Sequence, residues 1–180
     1  MLEQGEDGTF TQSLLFTPSI IAMSLLISEN EEMMVIGMII NIEIYQKSGD
    51  TYQLNQTLNQ GGPVVSSALS EDGKELLACS TDLNIYQHDG TFFALNQSIS
   101  MGFQCWAVKY MGNLVMVHGA SSEIRFYEFS GSAYALKFTI TTGLSSIYQS
   151  NAYDGGKRFM FGGPSQSIST YASDGESYEL

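Results

Sequence analysis

Apolar residues recur along this chain in short runs separated by glycine-bearing polar turns, and four of the runs end in tyrosine. IEIY closes at Tyr45, LNIY at Tyr86, IRFY at Tyr127 and ISTY at Tyr171, and a glycine follows four residues later at Gly49, Gly90, Gly131 and Gly175. Three positions beyond each glycine comes an aromatic residue, and two beyond that a leucine, as in SGDTYQL, DGTFFAL, SGSAYAL and DGESYEL. The marker glycines are 41, 41 and 44 residues apart. A period of roughly 40 to 50 residues, with four strand-like runs in each, predicts one four-stranded propeller blade per repeat.

The clearest unit begins at Pro63. VVSSAL reads as a first strand, ELLACS as a second, LNIYQ as a third and TFFALNQSI as a fourth. Asp72-Gly73 and Asp89-Gly90 supply the positive φ that tight hairpin turns require. The second strands, MMVIGM, ELLACS, LVMVHG and RFMFGG, are nearly continuous apolar runs, the pattern of a strand buried on both faces between neighbouring blades. The fourth strands alternate more, with Gln53, Asn55 and Gln56 or Asn96, Gln97 and Ser98 among the apolar positions, which places them at the rim. No long stretch keeps a helical period. The expected fold is all-β: a propeller of about four four-stranded blades, either whole or part of a larger one.

The whole chain, 1–180, reads as a single propeller segment. Residues 1–16 form a closing or preceding-blade strand, 17–60 blade one, 61–101 blade two, 102–143 blade three, and 144–180 blade four with an incomplete outer strand. GTFTQSL resembles the start of a fourth strand, so Thr9 to Phe16 are expected either to complete the last blade or to end an earlier one.

CSTDLNIY at 79–86 resembles the WD-repeat segment in which Ser and Asp precede an apolar strand ending in Trp, with Tyr86 in the Trp position. The resemblance implies a propeller, and a polar turn network that includes Ser80 and Asp82. The chain departs from that family in having neither a Gly-His start nor a Trp-Asp end to any repeat. A second resemblance, to the FG-GAP repeats of integrin-like propellers, implies calcium loops. No segment here has the closely spaced carboxylates that calcium takes.

Charge narrows the partners. Seven Lys and Arg against 19 Asp and Glu give a formal net charge of −12, a field that repels nucleic acid and anionic membrane surfaces. Cys79 and Cys105 lie in strand-like runs and read as small buried thiols. With no basic start or apolar centre in MLEQGEDGTF, the expected location is cytoplasmic.

Catalytic motifs are absent, and no cofactor or metal is expected. His118, at the end of LVMVHG, reads as a structural histidine at a blade edge or the central channel, and Trp106 as core. The channel-facing candidates SIIAMS, VVSSAL and CWAVKY are apolar or hydroxyl-bearing. Rigid strands with variable loops suit recognition, so the expected function is a non-catalytic scaffold binding protein partners. The alternatives are a propeller hydrolase or lactonase with a site in the central channel, and a structural subunit that completes a larger ring or homo-oligomer.

Overall fold

In the computed structural model, which describes residues 2–4, 10–12, 21–153, 157–164, 168–173 and 178–179, each repeat folds into one antiparallel sheet whose strands pair in chain order. Strands β1 (Leu2–Gln4) and β2 (Phe10–Gln12) pair with each other. Blade one follows as β3 (Ala22–Ile27), β4 (Met33–Met38), β5 (Asn41–Ser48) and β6 (Thr51–Asn59). Blade two is β7 (Ser66–Leu69), β8 (Glu75–Cys79), β9 (Asp82–His88) and β10 (Phe93–Ser100). Blade three is β11 (Cys105–Met111), β12 (Leu114–Gly119), β13 (Glu123–Phe129) and β14 (Tyr134–Thr141). Blade four is β15 (Gln149–Tyr153), β16 (Arg158–Gly162), β17 (Ile168–Ser173) and β18 (Tyr178–Glu179). The first strands β3, β7, β11 and β15 are successive neighbours at the axis, and the four antiparallel sheets form a β-propeller-type fold.

The two-faced burial expected of the second strands arises from strand alternation. On β8, Leu76 and Ala78 pack with Val35, Ile42 and Ile44 of blade one, whereas Leu77 and Cys79 pack with Val108, Val115 and Val117 of blade three. The next interface stacks Met116, Ile124 and Phe126 on Phe159, Phe161 and Tyr171. All four repeat tyrosines hold one place: Tyr45 pairs with Met34, Tyr86 with Leu76, Tyr127 with Val115 and Tyr171 with Phe159, each opposite the second residue of its second strand. Every one is buried, which at about 25 cal/mol per Å² of apolar area makes each ring a contribution on the order of 2 kcal/mol.

A second periodic device sits at the rim. Between the third and fourth strands of blades one to three the register slips at Asn55, Asn96 and Lys137, one bulge in each at a spacing of 41 residues. The residue after the bulge reaches the next blade in the first two cases. Gln56 accepts from the Phe93 N–H at 2.8 Å and donates to its carbonyl at 2.7 Å. Gln97 makes the same pair of bonds to Tyr134, both 2.8 Å. A side-chain amide here stands in for one rung of a strand ladder.

The turn glycines behave as their φ demands. Gly49, Gly90 and Gly131 lie at +62°, +104° and +93°; Gly175 falls outside the described residues. Of the segment Thr9 to Phe16, residues 10–12 pair with β1, while Thr9 and 13–16 also lie outside the described residues. Ser80 is buried, and its N–H donates to the Asp82 carbonyl at 3.1 Å, so the turn between them is braced through the backbone.

The cysteines differ from expectation. Cys79 and Cys105 are joined in a disulfide with their Cα atoms 5.6 Å apart. The sequence places them 26 residues apart in different repeats, and only the stacking of blade two on blade three brings the end of β8 against the start of β11.

Candidate functional site

The blades are stitched to one another at an equivalent point. The N–H of Val64 donates to the Met38 carbonyl at 2.9 Å, that of Cys105 to Ser80 at 2.8 Å, and that of Ile147 to Gly119 at 3.0 Å. Just before these three acceptors stand Gly37, Cys79 and His118, and Gly162 holds the equivalent register position in blade four. Glycine at 37 leaves room for Ser24 and Val64, cysteine at 79 makes the disulfide, and histidine at 118 makes hydrogen bonds.

His118 is fully buried. Its Nδ1 lies 3.1 Å from the Ile147 carbonyl and its Nε2 2.7 Å from Ser150 Oγ. A carbonyl only accepts, so Nδ1 carries the hydrogen and Nε2 accepts from the serine hydroxyl. Burial lowers its pKa to about 4, the Ile147 carbonyl opposing and the nearby Lys109 ammonium adding to the shift. The ring is therefore neutral near pH 7, and it fixes Ser150 on β15 against blade three.

That bond positions Lys109. Its Nζ donates to the carbonyl of Ser150, and burial holds its pKa below the ordinary lysine value. Lys109 occupies the same register level on β11 as Leu26, Ala68 and Asn151 on the other three inner strands. All four line a groove of about 430 Å³ that crosses the inner strands. Hydroxyls tie its walls together: Ser24 to Ser67 at 3.2 Å, and the Val108 N–H to Ser66 Oγ at 3.2 Å. Lys109 also borders a second cavity of about 440 Å³ along blade four, with Gln149, Asn151, Met160 and Ile168. Among the described residues it is the sole Lys or Arg lining either space.

A second polar cluster lies between blades two and three toward the opposite, hairpin end. Glu75 accepts from the Tyr110 hydroxyl at 2.7 Å, from the Tyr134 hydroxyl, and from the Gln87 amide. Burial, then the hydrogen bond to Glu75, raises the pKa of both tyrosines. These phenols stay protonated and act as fixed donors. A cleft of about 500 Å³ opens beside them.

Of these groups the sequence singled out only His118. Lys109 stands in CWAVKY, where its one signal was a lone positive charge inside an apolar strand. Glu75 opens a run that is otherwise apolar, at the place where the other second strands carry Met33, Leu114 and Arg158.

No protein-family model and no curated protein matches the chain. Solved structures do. A crystal structure of a protein from Bacteroides uniformis, provisionally assigned as a 6-phosphogluconolactonase, superposes with a TM-score of 0.80 at 12% sequence identity, covering 99% of this chain and 62% of that one. At that identity the likeness establishes the propeller fold alone, and the chain spans less than two thirds of that protein. It runs against the expected non-catalytic scaffold, which is corrected here: the protein matched is one assigned as an enzyme. The propeller part of the WD-repeat resemblance stands, without the family label. Among the described residues no helix is long and apolar enough to cross a membrane.

Proposed function

We propose that the chain is part of a propeller hydrolase that opens a lactone in the groove formed by its inner strands. The observation that carries this reading is Lys109, a half-buried ammonium in a groove otherwise lined by apolar, hydroxyl and amide groups. A cation in such a setting interacts more strongly with developing negative charge than it does in water. The name of the structural neighbour supports the choice of substrate class.

The chemistry asked of the site is modest. Water adds to the lactone carbonyl carbon, negative charge gathers on the carbonyl oxygen, and the ring C–O bond then breaks as the ring oxygen takes up a proton. The products are a hydroxy acid, ionised at neutral pH, and one released proton. Lys109 keeps N–H donors beyond the one given to Ser150, and these face the carbonyl oxygen as its charge develops. His118 and Ser150 act as positioning residues, since they hold the carbonyl on which the Lys109 ammonium rests.

The test is a pH-stat assay of acid release from aldonic δ-lactones, phosphorylated and unphosphorylated, above their spontaneous opening. Lys109→Met is expected to lower kcat/KM by about 100-fold or more, the scale seen when one oxyanion donor is removed. Wild-type rates no faster than buffer on either lactone would refute the proposal, as would an unchanged Lys109→Met enzyme.

A further inference from the structure

The start of each inner strand carries one extra residue. Register slips at Met23 between Ala22 and Ser24, and at Trp106 between Cys105 and Ala107. Val65 and Tyr148 hold the same place, each donating its N–H to the carbonyl of the second-strand residue, Cys79 or Gly162, that already pairs with its successor. Bulges re-aim a side chain out of the sheet's alternation and occur next to active sites. In blades three and four the re-aimed residues are aromatic, and they meet: the Trp106 and Tyr148 rings are 5.4 Å apart at 46°. Tyr148 stays 52% exposed despite that contact, so the pair offers ring surface to solvent. Tyr148 adjoins Gln149, which lines the cavity that Lys109 borders. Lys109 lies three residue steps beyond Trp106 along β11, which at about 3.3 Å per step is roughly 10 Å.

We propose that Trp106 and Tyr148 form a stacking platform for the ring of a sugar-acid lactone, placing the ring's polar end within reach of Lys109. The inference rests on the lactonase reading and assigns its substrate to the carbohydrates. An aromatic face packs against the C–H face of a pyranose ring, while the hydroxyls at the ring's edge find the amides of Gln149 and Asn151.

Trp106 is the chain's one tryptophan, so its emission reports on this site alone. The probe is glucono-δ-lactam, a ring analogue with an amide in place of the hydrolysable ester, and inorganic phosphate serves as the anion control. Lactam is expected to shift or quench Trp106 emission saturably, and phosphate to leave it unchanged. By calorimetry, Tyr148→Leu is expected to weaken lactam binding about 5- to 10-fold, the range an aromatic contact supplies, whereas Tyr148→Phe stays within twofold of wild type. A flat emission trace from a protein that still opens lactones would overturn the platform and leave the hydrolase reading intact. Tyr148→Leu binding within twofold of wild type would also overturn it. If Tyr148→Leu does not fold, the wild-type emission decides: a saturable response supports the platform and a flat trace removes it. Absence of both lactam binding and lactone turnover would remove both readings.

Discussion

Replacing Cys79 and Cys105 together by alanine removes the cross-link between blades two and three without leaving thiols behind. The loop it closes is 26 residues long. On the chain-entropy account, such a loop withdraws about 12 cal/mol/K from the unfolded state, or about 3.5 kcal/mol at 25 °C. Unfolding entropy near 2.1 cal/mol/K per residue, taken over the 180 residues, converts this into a fall in Tm of about 9 °C. In urea, with a slope of about 1 to 3 kcal/mol/M, the midpoint drops by roughly 1 to 3 M. The assay compares wild type and the double variant, each with and without dithiothreitol, with thiols titrated in denaturant beforehand. Reductant is expected to bring the wild type down to the double variant and to leave the variant unmoved. Two titratable thiols in air-purified wild type, or a difference in Tm below about 2 °C, would refute the cross-link as a stabilising element.

Two further outcomes follow from the blade contacts. Folded His118 has a pKa near 4 against about 6.5 unfolded, so the unfolded chain binds more protons in between; its contribution is complete above pH 6.5 and shrinks as pH falls to 4, by about 3 kcal/mol. Denaturant melts across that window should show the slope, and His118→Gln should flatten it; an unchanged slope would place the titrating group elsewhere. Gln97→Leu strands the Tyr134 N–H and carbonyl at an expected cost of about 1 to 3 kcal/mol in urea unfolding, and a loss under 0.5 kcal/mol would show that water replaces the clamp.

The propeller was legible because its periodic features sit where geometry is least forgiving. A repeat tyrosine buried opposite the second residue of a two-sided strand, and a glycine at positive φ four residues on, allow few substitutes, so they recur visibly in the sequence. Asn55-Gln56 and Asn96-Gln97 were legible as polar positions of rim strands, although neither the bulges there nor the bonds to the next blade were. The disulfide was hidden for a different reason: each cysteine sits in an apolar run that explains it fully as a buried thiol, and the pairing exists only once two repeats are stacked. That pairing also weakens the basis for a cytoplasmic location, because disulfides persist mainly in oxidising compartments. Lys109 was hidden because one charge in a strand of seven carries no period, and what gives it meaning is the three other residues at its level.

Those levels explain how one repeat both holds the fold together and leaves chemistry free to vary. On each inner strand, alternate residues face the neighbouring blade and must fit it, as Val108 does among Leu77, Leu83 and Val115. The residue one further along faces the other way, at the edge of the packing with the following blade: Leu26 and Ala68 lie partly buried against the cluster shared with the next blade, Lys109 reaches Ser150 of blade four, and all three line the groove with Asn151. The second-strand position before the inter-blade hydrogen bond shows the same freedom in another form. Its geometric task is to fasten the next blade, and space at Gly37, a covalent bond at Cys79 and a hydrogen-bonded imidazole at His118 all perform it. At His118 the fastening has a consequence the others lack, since the serine it grips carries the carbonyl that anchors the Lys109 ammonium. A structural stitch thereby fixes the Lys109 ammonium in the groove, and loss of the stitch should reach the groove as well as the fold.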